Sequence, residues 1–313
     1  MEPRPGDTLS KFSEKISQCC EMLSTIKPIS PTKDTAPGEP LPSLLEQCDQ
    51  LTAQVTERPE PIRTLHQLAC TGGTLISKCL ACMPNTLLLS EVDPYSQIPG
   101  DRQSKFAPTD LIMLLRNSSR GGDPGLEGEV FMAGLAAIYQ DCVKRGLRLL
   151  LRDHSHSQYC FKRINSSTPK LRELVGDSYP INGVVNLRHP LDAFLSLQKA
   201  GWLHFEPATF EEYCARTMLF LDDHAHLPWF KYEDFVEQPE IELEIMCDAL
   251  GLVYDESFKD LFPIHRLSGD SGRSASLIAP RERRPVPASL IAEADESPSY
   301  HATCQRLKYD ASC

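Results

Sequence analysis

A glycine turn early in the chain offers the first residues that could do chemistry. Residues 64–84 read TLHQLACTGGTLISKCLACMP, where an apolar run at 65–69 precedes the turn and apolar residues then recur at helical spacing. This pattern predicts a strand, a tight turn and a helix. The N–H groups of Gly73, Thr74 and Leu75 would point at an anion, helped by the helix dipole. We expect a phosphate or sulfate site here, and a plain connection is the alternative. The turn consists of Thr71, Gly72, Gly73, Thr74 and Leu75.

The turn differs from the loop that binds nucleoside triphosphates in many kinases and ATPases. That loop reads G-x-x-x-x-G-K-[ST], so a lysine directly precedes the serine or threonine. Here Lys78 lies a full helical turn beyond Thr74. The spacing therefore disfavours a nucleotide kinase, which remains an alternative with a Mg²⁺ requirement of its own.

More polar residues with a chemical use follow the other apolar runs. Glu91 lies near the end of TLLLSEV, Asp153 and His154 come directly after LRLLLR, and Arg188 comes directly after GVVNL. If these runs are parallel strands, their carboxyl ends meet at one edge of a sheet, where ligands bind in such folds. We therefore expect these side chains to share a site with the glycine turn.

The elements that would position these residues alternate along the chain. Strands are predicted at 65–69, 86–92, 147–152, 183–187 and 229–232, and helices at 75–83, 126–145, 190–198, 210–224 and 239–250. Strands that alternate with helices predict an α/β fold whose parallel sheet is covered on both faces.

The first 60 residues have a different character. Two amphipathic helical patterns, at 9–26 and 41–55, flank a linker at 27–40 that is rich in Pro, Thr and Gly. We predict a helical extension over residues 1–60 and an α/β domain over residues 61–313.

Composition limits the class of protein. The chain has 313 residues, 41% of them apolar, and a net charge of −11, which argues against unspecific binding of nucleic acid. Twelve cysteines are scattered through apolar runs, which favours buried free thiols in a reducing compartment over a metal site. The chain opens without a signal peptide pattern and has no apolar run of about 20 residues, so we expect a cytoplasmic protein without a membrane partner.

Four segments in this order resemble the sulfotransferases that use 3′-phosphoadenosine 5′-phosphosulfate (PAPS). They are the glycine turn, RHPLDAFLS at 188–196, FKYEDFVEQPEIELEIMCDALGL at 230–252, and SGDSGRSASLIAPRERR at 268–284. The resemblance covers about residues 62–310 and rests mainly on R-x-P-x-D-x-x-x-S and YED…P…LGL. It implies a three-layer P-loop-like fold with a central, mostly five-stranded parallel sheet, to which residues 1–60 add a helical extension.

The resemblance also implies roles in binding PAPS. The glycine turn would hold the 5′-phosphosulfate, and Arg188 and Ser196 would hold the 3′-phosphate that distinguishes PAPS from ATP. An arginine fork suits such a dianion because its hydrogen bonds are bidentate and charge-assisted. Further candidates for the 3′-phosphate come from the Ser/Gly loop and the arginine run: Ser271, Gly272, Arg273, Arg281, Arg283 and Arg284.

For catalysis, the resemblance implies in-line transfer of a sulfuryl group to a hydroxyl or amine, which needs a general base. His154 is the first candidate because imidazole titrates near pH ~6.5. Glu91 is the second, since other branches of the family use a glutamate, and His156 is a further substitute. Many relatives carry a basic residue where this chain has Thr71. We expect Arg152, or less readily Lys78, to supply that charge.

Three functions stay open at this point. The first is a PAPS-dependent sulfotransferase that needs no metal and acts on a small or medium acceptor. The second is a degenerate relative that binds the nucleotide or a partner without catalysis, and the third is the kinase. The acceptor site is expected among residues 93–125 and 199–210, where Trp202, His204 and Phe205 suggest an apolar wall. The oligomeric state, including a homodimer, stays open.

Overall fold

The computed structural model describes residues 43–47, 59–96, 98, 108–123, 125–164, 167–267 and 277–311. The chain divides into two compact units, residues 1–57 and residues 58–313. In the first unit residues 44–47 form a helical turn, and the rest of the two predicted N-terminal helices lies outside the described residues. The predicted boundary at residues 60 and 61 therefore stays a prediction.

Seven strands are present in the described part of the second unit. They are β1 (Ile62–Gln67), β2 (Thr86–Val92), β3 (Arg148–Asp153), β4 (Phe161–Lys162), β5 (Ile181–Leu187), β6 (His204–Phe205) and β7 (Trp229–Lys231). Five of them form a sheet in the order β2-β3-β1-β5-β7, in which every pair is parallel. The short strands β4 and β6 pair separately. The predicted five-stranded parallel sheet is confirmed.

Twelve helices connect or flank these strands in the same described residues. They are α1 (Gly73–Ala81), α2 (Leu111–Arg116), α3 (Leu126–Lys144), α4 (Ser155–Tyr159), α5 (Leu171–Gly176), α6 (Pro190–Ala200), α7 (Phe210–Asp223), α8 (Tyr232–Glu237), α9 (Pro239–Leu250), α10 (Phe258–Leu261), α11 (Ala288–Asp295) and α12 (Pro298–Leu307). None of them is both long and apolar enough to cross a membrane.

Helices cover both faces of the sheet because successive strand residues point to opposite faces. In β3, Leu150 packs into a cluster with α1 and α9, whereas Leu149 and Leu151 pack with α3 and α5. A third cluster joins β5 to α6, α7, α11 and α12. The sheet is therefore the middle layer of three, as expected for the α/β class.

Two predicted elements need correction. The first strand runs from Ile62 to Gln67, not over residues 65–69. Leu68 is apolar because it packs into the core from the loop, where Cys70 already has a positive φ of 66°. The strand predicted over residues 229–232 ends at Lys231, and the acidic segment after it forms the short helix α8.

Parallel register brings the chemically useful strand ends together. Gln67 at the end of β1 pairs with Asn186 near the end of β5, and Val92 at the end of β2 pairs with Asp153 at the end of β3. Leu65, two residues before Gln67 in β1, pairs with Arg152, the residue before Asp153 in β3. The glycine turn therefore lies beside the ends of β3 and β5.

Candidate functional site

The turn between β1 and α1 is held by the neighbouring strand. Gly72 caps α1 with a φ of 91°, a left-handed conformation that favours glycine. The Thr71 hydroxyl donates to the Leu68 carbonyl at 2.8 Å, and the Asn186 side-chain amide donates to the Thr71 carbonyl at 2.8 Å. These bonds fix the backbone direction at the point where the helix begins.

Two side chains press directly against the glycines. A Cβ at Gly72 would lie 2.1 Å from a ring carbon of Tyr232, and a Cβ at Gly73 would lie 1.4 Å from the nearest atom of the Gln67 side-chain amide. Neither distance leaves room for a side chain. The turn therefore needs both glycines for close packing as well as for its backbone conformation.

The free N–H groups of the turn are fewer than the sequence predicts. Gly73 and Thr74 open α1, so their N–H groups have no carbonyl partner within the helix. The N–H of Leu75, in contrast, bonds to the Gly72 carbonyl at 3.0 Å. Two N–H donors, rather than three, are thus directed out of the helix towards an anion.

A large cavity of about 1080 Å³ opens over this turn. Its wall includes most of the predicted site residues: Gly72, Gly73, Thr74, Leu75, Lys78, Glu91, Arg152, His154, His156, Arg188, Ser196, Arg281, Arg283 and Arg284. Thr71 does not line it and is only 4% exposed. The Thr71 hydroxyl, which was expected at the ligand, is instead turned back onto the Leu68 carbonyl.

Arg152 reaches the glycine turn from the end of β3. Its Nη2 lies 2.8 Å from a carboxylate oxygen of Glu91 and 3.4 Å from the Thr74 hydroxyl. Its Nη1 donates to the Ser90 hydroxyl at 3.0 Å. In the amide orientation that satisfies its neighbours, the Gln67 oxygen accepts from Nε and Nη2 of Arg152 at 2.6 and 2.7 Å. The guanidinium is thus held from several sides beside the helix N-terminus.

Glu91 lies between Arg152 and His154. One carboxylate oxygen pairs with the guanidinium, and the other lies 3.5 Å from Nε2 of His154. Glu91 has a positive φ of 59°, an uncommon conformation for a residue other than glycine. Glu91 and His154, the two candidates for the general base, therefore lie side by side on the cavity wall, and Arg152 neutralises the Glu91 carboxylate.

Asp153 borders the cavity but is almost fully buried, with 2% of its surface exposed. Its Oδ2 lies 2.9 Å from His66 Nδ1 and accepts from the Ser155 hydroxyl at 2.7 Å. Burial alone would raise the pKa of this carboxyl, but the bonds from His66 and Ser155 outweigh it and lower the pKa. His66, Asp153 and His224 have ligand atoms within 4.8 Å of one another. The contacts to His66 and Ser155 satisfy Oδ2 and anchor the segment that carries Arg152 and His154, whereas Oδ1 is buried without a hydrogen-bond partner among the described residues.

A second cationic group, Arg188, lines the cavity on the Tyr232 side of the glycine turn. The Arg188 guanidinium lies 5.0 Å from the centre of the Tyr232 ring and donates to the Cys70 carbonyl at 3.1 Å. Ser196 is 2% exposed, and its hydroxyl donates to the Asp192 carbonyl at 2.9 Å. This predicted pair therefore lines the same cavity as the glycine turn.

The arginine run approaches the cavity beside α6. The Nε of Arg283 lies 3.3 Å from a carboxylate oxygen of Asp192, one helical turn before Ser196. Arg281 and Arg284 line the cavity as well. The remaining predicted residues of the Ser/Gly loop, Ser271, Gly272 and Arg273, lie outside the described residues.

Of the three residues expected on the acceptor side, two line the cavity and one does not. Trp202 and His204 line the cavity. Phe205 does not, because it is 1% exposed and packs in the core near Tyr213. Strand alternation explains the difference, since neighbouring residues of β6 point to opposite sides.

Two residues of the site were missed at the sequence level. Gln67 and Tyr232 support the glycine turn and line the cavity. Tyr232 was part of the YED motif, and its place directly after a strand was an available signal. Gln67 carried no signal beyond its position at the end of a strand.

Comparisons with known proteins identify the fold. No protein-family model and no curated protein matches the chain in sequence. The sulfotransferase domain of the Synechococcus PCC 7002 olefin synthase has a TM-score of 0.52 and 19% identity, over 81% of this chain and 96% of that domain. A sulfotransferase from Alicyclobacillus acidocaldarius has a TM-score of 0.42 and 17% identity, over 80% of this chain and 97% of that one.

A mouse sulfotransferase complexed with PAP is similar as well, with a TM-score of 0.35 and 11% identity over 79% of this chain and 82% of that one. The comparison with the olefin synthase domain covers most of both chains and has a TM-score above 0.5. The chain therefore has the sulfotransferase fold.

Proposed function

We propose that this protein is a sulfotransferase that uses PAPS as sulfuryl donor and a hydroxyl or amine as acceptor. One observation carries the proposal: a single cavity contains the glycine turn with Arg152 and His154, and also Arg188, Ser196 and the arginine run. The glycine turn with Arg152 and His154 suits the sulfuryl group of PAPS, and Arg188 and Ser196 with the arginine run suit its 3′-phosphate. The close packing at Gly72 and Gly73 leaves the backbone, rather than side chains, to face the anion.

The chain's own residues have distinct tasks in this reaction. PAPS supplies the sulfuryl group. The N–H groups of Gly73 and Thr74 bind anionic oxygens, and Arg152 stabilises negative charge next to the turn. His154 accepts the proton of the acceptor through a ring nitrogen, while Glu91 orients the ring and stabilises its charged form. Glu91 is the weaker base because it is already paired with Arg152.

Arg152 also bears on the second candidate, a binding protein without catalysis. That candidate was motivated by Thr71, which leaves the turn without the basic residue of many relatives. The Arg152 guanidinium lies 3.4 Å from the Thr74 hydroxyl and can supply the charge from the next strand. Turnover of PAPS distinguishes these two candidates, and activity without Mg²⁺ distinguishes the sulfotransferase from a kinase.

The first experiment is calorimetric binding of 3′,5′-ADP and 5′-AMP without magnesium. The wild type should prefer 3′,5′-ADP, and Arg188→Ala should lose about tenfold to a hundredfold of that preference, since hydrogen bonds to charged groups are worth about 1.5–3 kcal/mol. The matched control is Arg145→Ala, which removes an exposed arginine paired only with Asp141 on α3. Equal binding of both nucleotides by the wild type would refute the PAPS site.

A further inference from the structure

Glu233 connects two distant parts of the chain beside the cavity. It lies in α8 and lines the cavity wall. Its Oε1 accepts a hydrogen bond from the backbone N–H of His189 at 3.0 Å, and its Oε2 accepts one from the Tyr309 hydroxyl at 2.8 Å. Burial and the Glu233 charge raise the pKa of Tyr309, so the hydroxyl stays protonated and donates. Each carboxylate oxygen of Glu233 therefore binds a donor from a different segment.

The segment after α12, residues 308–311, is anchored at further points. Nε2 of His189 lies 3.0 Å from the Asp310 carbonyl, to which it donates because a carbonyl only accepts. The His189 ring also packs against the Tyr309 ring, with 5.0 Å between the ring centres. The ammonium group of Lys231 donates to the Lys308 carbonyl at 3.2 Å and lies 4.4 Å from the centre of the Tyr309 ring. His189 is thus fixed through its backbone and through its side chain.

These contacts hold the residue that directly follows Arg188. Arg188 lies between the end of β5 and the start of α6. Its guanidinium lies over the ring of Tyr232, the residue before Glu233. The first two residues of α8 therefore contact Arg188 and its neighbour His189. An arginine that is already held in its bound position loses less freedom when an anion binds, so the anion is bound more tightly.

The negative charge of Glu233 needs a reason at this place. The carboxylate lines a cavity in which the proposed ligand is an anion, and like charges repel. A neutral side chain would avoid this repulsion. A carboxylate, however, forms stronger hydrogen bonds than a neutral acceptor and can bind a donor through each oxygen. The contacts to His189 and Tyr309 use both of these properties.

We propose that Glu233 and Tyr309 are positioning residues for the 3′-phosphate of PAPS, because they hold the backbone beside Arg188. This proposal rests on the proposed function. Tyr309 does not line the cavity. An effect of its hydroxyl on nucleotide binding therefore has to pass through Glu233 and the segment that carries Arg188.

The test is calorimetric binding of 3′,5′-ADP and 5′-AMP by Tyr309→Phe, which removes only a hydroxyl. The preference for 3′,5′-ADP, expressed as the ratio of the two dissociation constants, should fall by about threefold to tenfold, the effect of one hydrogen bond. The affinity for 5′-AMP should stay the same, because this nucleotide lacks the 3′-phosphate. A general loss of structure would instead weaken both nucleotides alike. In the Arg188→Ala background, Tyr309→Phe should leave the ratio unchanged, since the arginine that it positions is gone.

A second variant distinguishes positioning from simple charge repulsion by the sign of its effect. Glu233→Gln keeps the shape of the side chain but loses the charge and one of the two acceptor oxygens. If Glu233 only repelled the phosphate, this variant would bind 3′,5′-ADP more tightly. The positioning role predicts weaker binding of 3′,5′-ADP and a ratio that falls by about threefold to tenfold.

Tyr139→Phe is the matched control. Its hydroxyl also makes a hydrogen bond of 2.8 Å, to the Glu60 carbonyl, and Tyr139 does not line the cavity. This variant should keep the wild-type ratio. Equal binding of both nucleotides by the wild type refutes the proposed function, and this inference with it. If the wild type shows the preference, the positioning role alone is refuted by an unchanged ratio in Tyr309→Phe, by the same loss in the Arg188→Ala background, or by tighter 3′,5′-ADP binding in Glu233→Gln.

Discussion

Acid should destabilise this protein through histidines that are buried in the neutral form, and His224 gives the sharpest test. It is 5% exposed at the end of α7. Burial and the nearby His66 lower its pKa to about 4, against opposing contributions from the Phe220 carbonyl, Asp153 and Asp223. Its Nδ1 lies 2.8 Å from the Phe220 carbonyl, which fixes the position of the ring.

The two pKa values give the size of the effect. In the unfolded chain a histidine titrates near pH ~6.5. Because the pKa of His224 in the folded protein is lower, at about 4, the unfolded chain binds more protons in this range. The contribution of His224 to stability is complete above pH ~6.5 and declines as the pH falls. Between pH 7 and pH 5 the free energy of unfolding should fall by about 2 kcal/mol through His224 alone.

The assay is urea unfolding followed by circular dichroism at both pH values. His224→Gln keeps a side-chain donor for the Phe220 carbonyl but removes the titration. The difference between pH 7 and pH 5 should therefore be about 2 kcal/mol smaller in this variant than in the wild type. His156 titrates in both proteins and cancels, and His301→Gln should behave as the wild type. Equal differences in His224→Gln and the wild type would refute the reasoning.

Two further changes test the glycine turn and its cation. Gly73→Ala should reduce 3′,5′-ADP affinity, measured by calorimetry, because the new Cβ would lie 1.4 Å from the Gln67 side chain. The control is Gly134→Ala, whose new Cβ would have nothing within 4 Å. This variant should instead have a higher melting temperature, since alanine is favoured over glycine in a helix by about 1 kcal/mol. Arg152→Gln should lower kcat by about a hundredfold, the usual effect of removing a group that stabilises a transition state, and should change 3′,5′-ADP affinity much less. Steady-state kinetics check this, and an unchanged kcat would contradict the role of Arg152.

The sheet could be predicted from the sequence because its signals are local. Short apolar runs bounded by turn residues gave β2 and β7 nearly to the residue, and Gly251 marked the end of α9. The first strand was placed too late because Leu68 is apolar for a different reason, namely packing from a loop. Periodicity cannot distinguish a strand residue from a buried loop residue next to it.

The site could be predicted only where position along a strand decides it. Glu91 lies near the end of a strand and His154 and Arg188 follow strands, and the parallel sheet brings these strand ends to one cavity. The contacts that depend on tertiary packing were not predictable, such as Tyr232 against Gly72 or Gln67 against Gly73. The direction of the Thr71 hydroxyl depends on tertiary packing in the same way, so the neighbouring sequence does not show that it turns inward.

Thr71 and Arg152 together show why a missing motif residue does not by itself indicate a lost activity. Thr71 lies on the turn that follows β1, and Arg152 lies on β3, which pairs with β1 so that Arg152 is opposite Leu65. A long arginine at that register reaches the start of α1, where it contacts the Thr74 hydroxyl and Glu91. The electrostatic requirement of the reaction concerns where a positive charge lies in space, and a neighbouring strand can meet it. Under the proposed function, the inward turn of Thr71 is compatible with catalysis, because Arg152 brings a cation to the start of α1 from β3.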